Sequence, residues 1–197
     1  MLLYIHGFNS SAQSHKARLT RARMATLGQA VEFACPDLDH RPLRAIAQLE
    51  ALIAEAGGAP VSVIGSSLGG YYATYLAEKH ALCAALLNPA VRPYERLREA
   101  LGPQRNLYTG AEYQFTPGHL SELEALEVSH VTASRYLLLV TTGDEVLDYR
   151  MAVTRYAGCR QIVIEGGDHG LSAFVDYLDP VLAFCRVGAY PVMDGRG

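Results

Sequence analysis

Residues 61–72 constrain the fold more than any other stretch, because an apolar strand pattern runs there into a glycine-rich turn and a helix pattern. The strand is predicted over residues 61–64. The turn matches G-x-S-x-G at Gly65, Ser67 and Gly69. That pattern places a serine on a sharp strand-to-helix turn, where its side chain stands clear of the backbone. The stretch therefore predicts an exposed, reactive serine.

The glycine spacing selects Ser67 rather than Ser66 as that serine. The tight turn requires small residues two positions before and after it, whereas Ser66 would have Ile64 and Leu68 at those positions. The N–H groups at the start of the following helix would also point at Ser67 and stabilise negative charge there. The alternative is an ordinary glycine-rich connection with a capping serine. A base, an acid and a second oxyanion donor after other strands would decide between the two.

The remaining chain alternates strand and helix patterns. Strands are predicted at residues 2–5, 31–35, 61–64, 82–87, 136–140 and 161–164. Helices are predicted at residues 14–27, 42–56, from the Ser67 turn to about 80, 149–156 and 171–186. Such alternation is typical of an α/β fold, a mostly parallel sheet with helices on both faces. Working residues collect at the carboxyl ends of the strands in such a sheet.

The alternation is interrupted once, over about residues 92–134, where the sequence is polar and punctuated by Pro and Gly. We expect a small cap inserted over the carboxyl edge of the sheet. The alternative is an excursion that only covers a hydrophobic face. Residues 1–186 are expected to form a single domain. Residues 187–197 lack periodicity, which predicts a flexible tail.

A candidate acid follows the predicted strand at residues 136–140. Asp144 is the choice, because a carboxylate there could orient a histidine and stabilise its charged form. Glu145 and Asp148 are neighbours that could do the same, or could be plain turn and capping residues.

A candidate base follows the predicted strand at residues 161–164. His169 lies in a glycine-flanked loop just before the last helix. A lone histidine is more often structural, but this one occupies the position that a general base needs. The order Ser67, Asp144, His169 is that of α/β-hydrolases and differs from the chymotrypsin and subtilisin orders.

The oxyanion donors are expected from two backbone N–H groups. The loop His6-Gly7-Phe8 follows the first strand, so the N–H of Phe8 can join that of Leu68. His6 itself is expected to be architectural, packing and hydrogen bonding within the loop.

The chain resembles the small YqiA-type esterases, a bacterial α/β-hydrolase family, over residues 2–184. The blocks that carry the resemblance are residues 4–11, 65–74, 88–93, 108–110, 142–150 and 163–167. The resemblance implies a serine esterase that acts on acyl esters and acyl-CoA thioesters. It also implies an α/β-hydrolase fold.

The composition gives no indication of nucleic-acid binding, of a metal site or of a membrane span. Net charge is −3 over 197 residues, so nothing global indicates nucleic-acid binding. The cysteines Cys35, Cys83, Cys159 and Cys185 are far apart, which indicates reduced thiols in a cytoplasmic protein and no metal site. No basic segment precedes the first apolar run, and no apolar run approaches the length of a membrane span, so neither a signal peptide nor a spanning helix is expected.

These observations predict a serine hydrolase with the triad Ser67, Asp144 and His169, which needs no metal and no cofactor. The substrate would be a small-molecule acyl ester or thioester. Rivals are a thioesterase or acyltransferase with the same triad, and a non-catalytic binding protein with a closed site. The cap offers apolar and aromatic candidates for substrate contact: Tyr94, Leu97, Leu101, Leu107, Tyr108, Tyr113 and Phe115. Tyr108 and Tyr113 are the predicted substrate-binding residues, although most of the set could simply pack the cap.

Basic residues cluster on the first predicted helix, with no acidic residue among them. They are His15, Lys16, Arg18, Arg21 and Arg23. Because this helix follows the loop that ends at Phe8, its N-terminus is expected near the mouth of the site. It could hold the phosphates of coenzyme A. The alternative is a solvated basic face, which is what charge runs usually are.

Overall fold

The computed structural model describes residues 1–187, so the predicted tail lies outside the described residues apart from Val187. The main sheet has six strands within this range: β1 (Leu2–Ile5), β2 (Phe33–Ala34), β3 (Ser62–Ser66), β4 (Cys83–Leu87), β7 (Tyr136–Thr141) and β8 (Arg160–Ile164). Two further strands, β5 (Gly102–Arg105) and β6 (Glu112–Phe115), form a separate antiparallel hairpin. The strand order of the main sheet is β2-β1-β3-β4-β7-β8, and all neighbouring strands in it are parallel.

Helices cover both faces of the sheet, which confirms the predicted fold class. They are α1 (His15–Thr26), α2 (Pro42–Glu55), α3 (Leu68–His80), α4 (Pro93–Arg96), α5 (Pro117–Glu124), α6 (Tyr149–Arg155) and α7 (Phe174–Phe184). Helices α2, α3 and α6 pack on one face through residues such as Leu49 and Leu76. Helices α1 and α7 pack on the other through Met24 and Phe174. The central strands are apolar on both sides for this reason, and β7 is buried along its whole length.

The register brings the strand ends level. Ile5 of β1 lies opposite Gly65 of β3, and Ser66 at the end of β3 lies opposite Leu87 at the end of β4. The loops that leave these strands therefore emerge at one edge of the sheet. Ligand-binding and catalytic residues of parallel sheets lie at this edge.

Two local predictions differ from the structure. The strand predicted at 31–35 is reduced to β2, and Val31 is 96% exposed in a 3₁₀ turn. Because β2 is an edge strand that pairs only with β1, extending its apolar run would add little buried surface. The helical spacing of Leu43, Ile46, Leu49 and Ile53 predicts that all four share the buried face of α2, but Leu43 is 48% exposed. The face that packs on the sheet is centred on Ala45, Ile46 and Leu49 instead.

The segment between β4 and β7 folds as α4, the β5–β6 hairpin and α5, and the hairpin was not predicted. The hairpin is bound to the loop after β1, where Asn9 hydrogen bonds to Gln104 at 2.9 Å and to the Tyr113 hydroxyl at 2.6 Å. The Asn106 amide donates to the carbonyl of Ser10 at 2.8 Å. The insertion thus reaches from the end of β4 across to the loop after β1.

Residues 1–187 include no helix with the length and apolar character needed to cross a membrane.

Candidate active site

The turn between β3 and α3 has the geometry of a nucleophile elbow. Ser67 adopts φ 54° and ψ −121°, and α3 begins at the next residue, Leu68. A non-glycine residue with positive φ is strained, and such strain at a strand-to-helix turn is characteristic of a functional serine. The N–H of Ser67 donates to the carbonyl of Leu87 at 3.0 Å, which fixes the turn against β4. Ser66 is the last residue of β3 and is buried.

The glycines of the motif are required by close backbone approach. A Cβ at Gly65 would overlap the carbonyl oxygen of Gly69 and would lie 2.7 Å from Cα of Gly70. A Cβ at Gly69 would overlap the carbonyl oxygens of Ile5 and His6. The elbow is therefore packed against its own helix and against the end of β1.

We expect Gly69→Ala to lower the free energy of unfolding by about 3 kcal/mol or more, because the added methyl meets backbone that cannot move aside. Gly118→Ala is the matched control. A Cβ at Gly118 meets only Thr116 Oγ1, at 3.5 Å, and the residue lies in the first turn of α5, so a gain of about 0.5 kcal/mol is expected. Urea unfolding followed by circular dichroism measures both, and equal effects would contradict the packing argument.

Three side chains from separate loops form one hydrogen-bonded chain. His169 Nε2 lies 3.1 Å from Ser67 Oγ, and His169 Nδ1 lies 2.8 Å from Asp144 Oδ2. With Nδ1–H donating to the carboxylate, Nε2 is left as an acceptor for the serine hydroxyl. The structure therefore brings together the three residues that were predicted as nucleophile, base and acid.

Asp144 is held as a carboxylate. Burial alone would raise the pKa of its carboxyl, but hydrogen bonds from His169 and from the N–H groups of Leu147 and Val146 outweigh burial and lower the pKa. Those backbone bonds measure 2.7 and 2.8 Å at Oδ1, which leaves Oδ2 for His169. The side chain is 2% exposed, so water does not compete for it.

The two alternative acids have hydrogen-bond partners other than the His169 ring. Glu145 accepts the backbone N–H of His169 at 3.0 Å and so holds the loop rather than the imidazole. Asp148 caps α6, accepting the N–H of Arg150 at 3.0 Å. Neither carboxylate hydrogen bonds to the His169 ring within residues 1–187.

A positioning residue that the sequence analysis missed is Asn88, which follows β4 with φ 42°. Its amide nitrogen lies 3.1 Å from the carbonyl of Asp168 and 3.2 Å from that of His169. Its carbonyl accepts the N–H of Thr141 at 3.0 Å. This buried side chain thus ties the loop that carries His169 to the ends of β4 and β7. The signal available in the sequence was an asparagine ending a strand just before a proline, since asparagine tolerates positive φ.

The two predicted oxyanion donors lie beside Ser67. A Cβ built at Gly7 would lie 3.2 Å from Ser67 Cβ, so the loop containing Phe8 passes directly against the elbow. Among the described residues, the N–H groups of Phe8 and Leu68 have no protein acceptor and remain available. His6 is buried, accepts the N–H of Leu38 at 3.2 Å and bonds to the carbonyl of Gly7 at 3.0 Å. Burial lowers the pKa of His6 and favours the neutral ring that this pattern requires.

Two cavities reach Ser67 and His169. The larger, of about 540 Å³, is lined from α4, the turn after it, the loop after β7 and α6. Its apolar lining includes Leu97, Leu147 and Met151, and charged side chains such as Glu95 and Arg96 also border it. The smaller, of about 260 Å³, lies between α1 and the hairpin loop. Neither Leu147 nor Met151 was a candidate from the sequence, because both lie outside the predicted cap.

The two predicted substrate-binding residues have different positions. Tyr108 lines the smaller cavity and is 50% exposed. Tyr113 lines neither cavity that contains Ser67; its hydroxyl bonds to Asn9 and its ring lies 4.5 Å from that of His40. Tyr94 and Phe115 are buried, as expected for residues that pack the insertion.

The sequence matches the model of a known protein family. A family model described as "Uncharacterised protein family (UPF0227)" matches residues 1–186.

Solved structures with the same fold include hydrolases. Est1E from Butyrivibrio proteoclasticus is 16% identical with a TM-score of 0.72, over 95% of this chain and 87% of that one. Alpha/beta hydrolase domain-containing protein 10 from mouse is 17% identical with a TM-score of 0.70, over 94% and 87%. A monoacylglycerol lipase from Paleococcus ferrophilus is 14% identical with a TM-score of 0.65, over 93% and 94%. At these identities the likeness shows the α/β-hydrolase fold.

Proposed function

The chain belongs to UPF0227, the YqiA family, and we propose that it is a serine esterase that hydrolyses acyl esters of small molecules. The observation that carries the proposal is the chain of hydrogen bonds at 3.1 and 2.8 Å from Ser67 through His169 to Asp144. It starts on a strained elbow and opens into a cavity of about 540 Å³. In this proposal residues 1–186 act as one catalytic domain, with residues 92–134 as its cap.

In the first half of the reaction, Ser67 Oγ attacks the acyl carbonyl while His169 Nε2 takes the serine proton. Asp144 holds the ring with Nδ1 protonated and stabilises the imidazolium that forms. The pKa of Asp144 is lowered, which keeps it ionised in that role. His169 then gives the proton to the departing alcohol or thiol, leaving an acyl-enzyme.

Backbone N–H donors stabilise the negative charge on the tetrahedral oxygen. The N–H groups of Phe8 and Leu68 have no protein acceptor in the described part of the chain, and Leu68 begins α3, whose dipole adds positive potential. Water then attacks the acyl-enzyme while His169 takes its proton, and the oxyanion of this second tetrahedral intermediate is bound by the same N–H groups. His169 returns the proton to Ser67 Oγ as the acyl–serine bond breaks, which releases the acid. This cycle requires no other catalytic group.

A thioesterase or acyltransferase would use the same triad, and a binding protein would have a closed site. The open cavities at Ser67 favour catalysis over a closed site. Labelling with a fluorophosphonate probe tests the proposal without a known substrate, because the probe reacts only with an activated serine. We expect labelling at Ser67. No labelling together with no turnover of nitrophenyl esters would refute the proposal, and a parallel series of acyl-CoAs separates esters from thioesters.

The larger cavity is expected to set acyl-chain preference. Leu97→Phe should fill part of it and lower kcat/KM for nitrophenyl octanoate about tenfold relative to nitrophenyl acetate, because a displaced chain loses apolar burial. Leu101→Phe is the matched control, since Leu101 is 42% exposed and does not line this cavity. A uniform loss across chain lengths would instead mean that Leu97 only packs the cap.

A further inference from the structure

The smaller cavity beside Ser67 differs in chemistry from the larger one. It lies where the N-terminus of α1, the start of the sheet and the loop of the β5–β6 hairpin meet. Besides Ser67 and His169, its lining includes Tyr4, Ser14, Lys16, Leu107 and Tyr108. The lining of the larger cavity includes the carboxylates of Glu95, Glu99 and Asp148, whereas the lining of this one includes a lysine and several hydroxyl groups but no carboxylate.

Two buried hydroxyl groups in this lining have no partner within residues 1–187. Tyr4 is 1% exposed, and its hydroxyl makes no hydrogen bond of acceptable geometry, although Ser66 lies close to it. The hydroxyl of Ser14 is also buried and unpaired. A buried polar group without a partner costs about 1–3 kcal/mol, so such groups beside a cavity indicate a ligand that would pair them.

The N-terminus of α1 is uncapped at the same cavity. Ser14 occupies the capping position, but its side chain makes no capping hydrogen bond. Within residues 1–187, the N–H groups of His15 and Lys16 have no acceptor. The first turn of this twelve-residue helix also has no acidic side chain. Free N–H groups and the helix dipole favour an anion at this end.

A cation completes the cavity. The half-buried Lys16 ammonium donates to the carbonyl of Gly170, next to His169, at 2.6 Å, and two further N–H bonds remain. Burial lowers the pKa of Lys16 to about 8, while the charges of Asp168 and Asp144 oppose that shift. A partly desolvated cation of this kind gains from an anionic partner.

We infer that this cavity binds a small anionic group of the substrate, a carboxylate or a phosphate, through Lys16, Tyr4, Ser14 and the N-terminus of α1. The inference rests on the proposed esterase function, because it places the anion a few bonds from the ester that Ser67 attacks. The apolar part of the substrate would occupy the larger cavity. The preferred substrate is therefore an ester with one apolar and one anionic end.

Coenzyme A fits this cavity poorly, because its phosphates lie at the far end of the pantetheine arm whereas the cavity adjoins Ser67. The rest of the basic row on α1 also does not form an anion surface. Arg23 is paired with Asp179 at 2.7 Å, and Arg21 lies over the ring of Phe33. Of the basic cluster predicted from the sequence, His15 and Lys16 line the cavity.

The test compares kcat/KM for anionic esters and their neutral partners. The pairs are nitrophenyl hydrogen glutarate with nitrophenyl valerate, 3-acetoxypropanoate with its methyl ester, and 2-acetoxyethyl phosphate with 2-acetoxyethanol. The first pair carries the anion on the acyl side and the other two on the alcohol side. We expect at least one anionic ester to be preferred about tenfold or more, the effect of one charge-assisted hydrogen bond.

Lys16→Met should lower that preference about tenfold, and Tyr4→Phe, which removes a single oxygen, should lower it about threefold. Arg18→Met is the control, because Arg18 is exposed on the same helix and does not line the cavity. Calorimetry with glutarate and with inorganic phosphate gives a readout without turnover. Millimolar binding that Lys16→Met weakens is expected.

Two results would overturn this inference and leave the esterase proposal intact. One is that neutral esters are hydrolysed at least as well as their anionic partners. The other is that Lys16→Met and Tyr4→Phe both keep the full preference for the anionic ester. Absence of fluorophosphonate labelling and of all ester turnover would instead refute the esterase. In that case calorimetry still decides on the anion site. If neither glutarate nor phosphate binds, the anion site is refuted. If Lys16→Met does not fold, Tyr4→Phe keeps the comparison open, because removing an unpaired hydroxyl leaves the core shape unchanged.

Discussion

Ser67→Ala is expected to reduce ester hydrolysis by about 10⁴- to 10⁶-fold and to abolish fluorophosphonate labelling, because Ser67 is the nucleophile that forms the acyl-enzyme in the proposed cycle. The loss in kcat should far exceed any change in KM, since the cavities that bind substrate remain. Nitrophenyl ester assays and mass spectrometry of the labelled protein measure the two effects. The thermal midpoint should not fall, because alanine removes only a hydroxyl from a half-buried position.

Ser66→Ala is the matched control, one residue earlier. Ser66 ends β3 with its side chain buried and makes no hydrogen bond to His169 within residues 1–187. Activity within about tenfold of the parent is expected from a small change next to the site. An inactive Ser66 variant beside an active Ser67 variant would show that the elbow has been assigned to the wrong serine.

Asp144→Asn is expected to lower kcat by about 10⁴-fold, as loss of the orienting carboxylate does in other serine triads. The amide can donate to Nδ1 and so favours the tautomer with Nε2 protonated, which cannot accept the proton of Ser67. The pH profile of kcat/KM should change with it, because the imidazolium loses its partner at 2.8 Å. Assays with nitrophenyl acetate between pH 6 and pH 9 would record both changes.

Glu145→Gln and Asp148→Asn test the specificity of that effect. Glu145 accepts only the backbone N–H of His169 in the described chain, and a glutamine oxygen can do the same. Asp148 caps α6, and asparagine is an equally good cap. Both variants should therefore keep most of their activity. Comparable losses in all three would point to damage of the loop rather than to the role of Asp144.

The fold was predicted well because its signals are local. Each central strand is buried on both faces and so appears as a continuous apolar run, as β7 does. Predictions failed where a segment's state depends on its partners. Residues 31–35 form only a two-residue edge strand, and the hairpin β5–β6 is fixed by contacts to the loop after β1. The catalytic roles of the site residues stay predictions until the variants are assayed.

The sequence by itself determined which serine stands on the elbow, because the steric requirement for glycine at positions 65 and 69 operates within a five-residue turn. Only the tertiary structure decided what surrounds that serine. Asn88 holds a loop that lies 80 residues away in sequence, and the smaller cavity combines Tyr4 and Lys16 with Gly170. Nothing in local sequence encodes such contacts. They form only when the carboxyl ends of parallel strands are brought level by sheet pairing, which depends on packing across the whole chain.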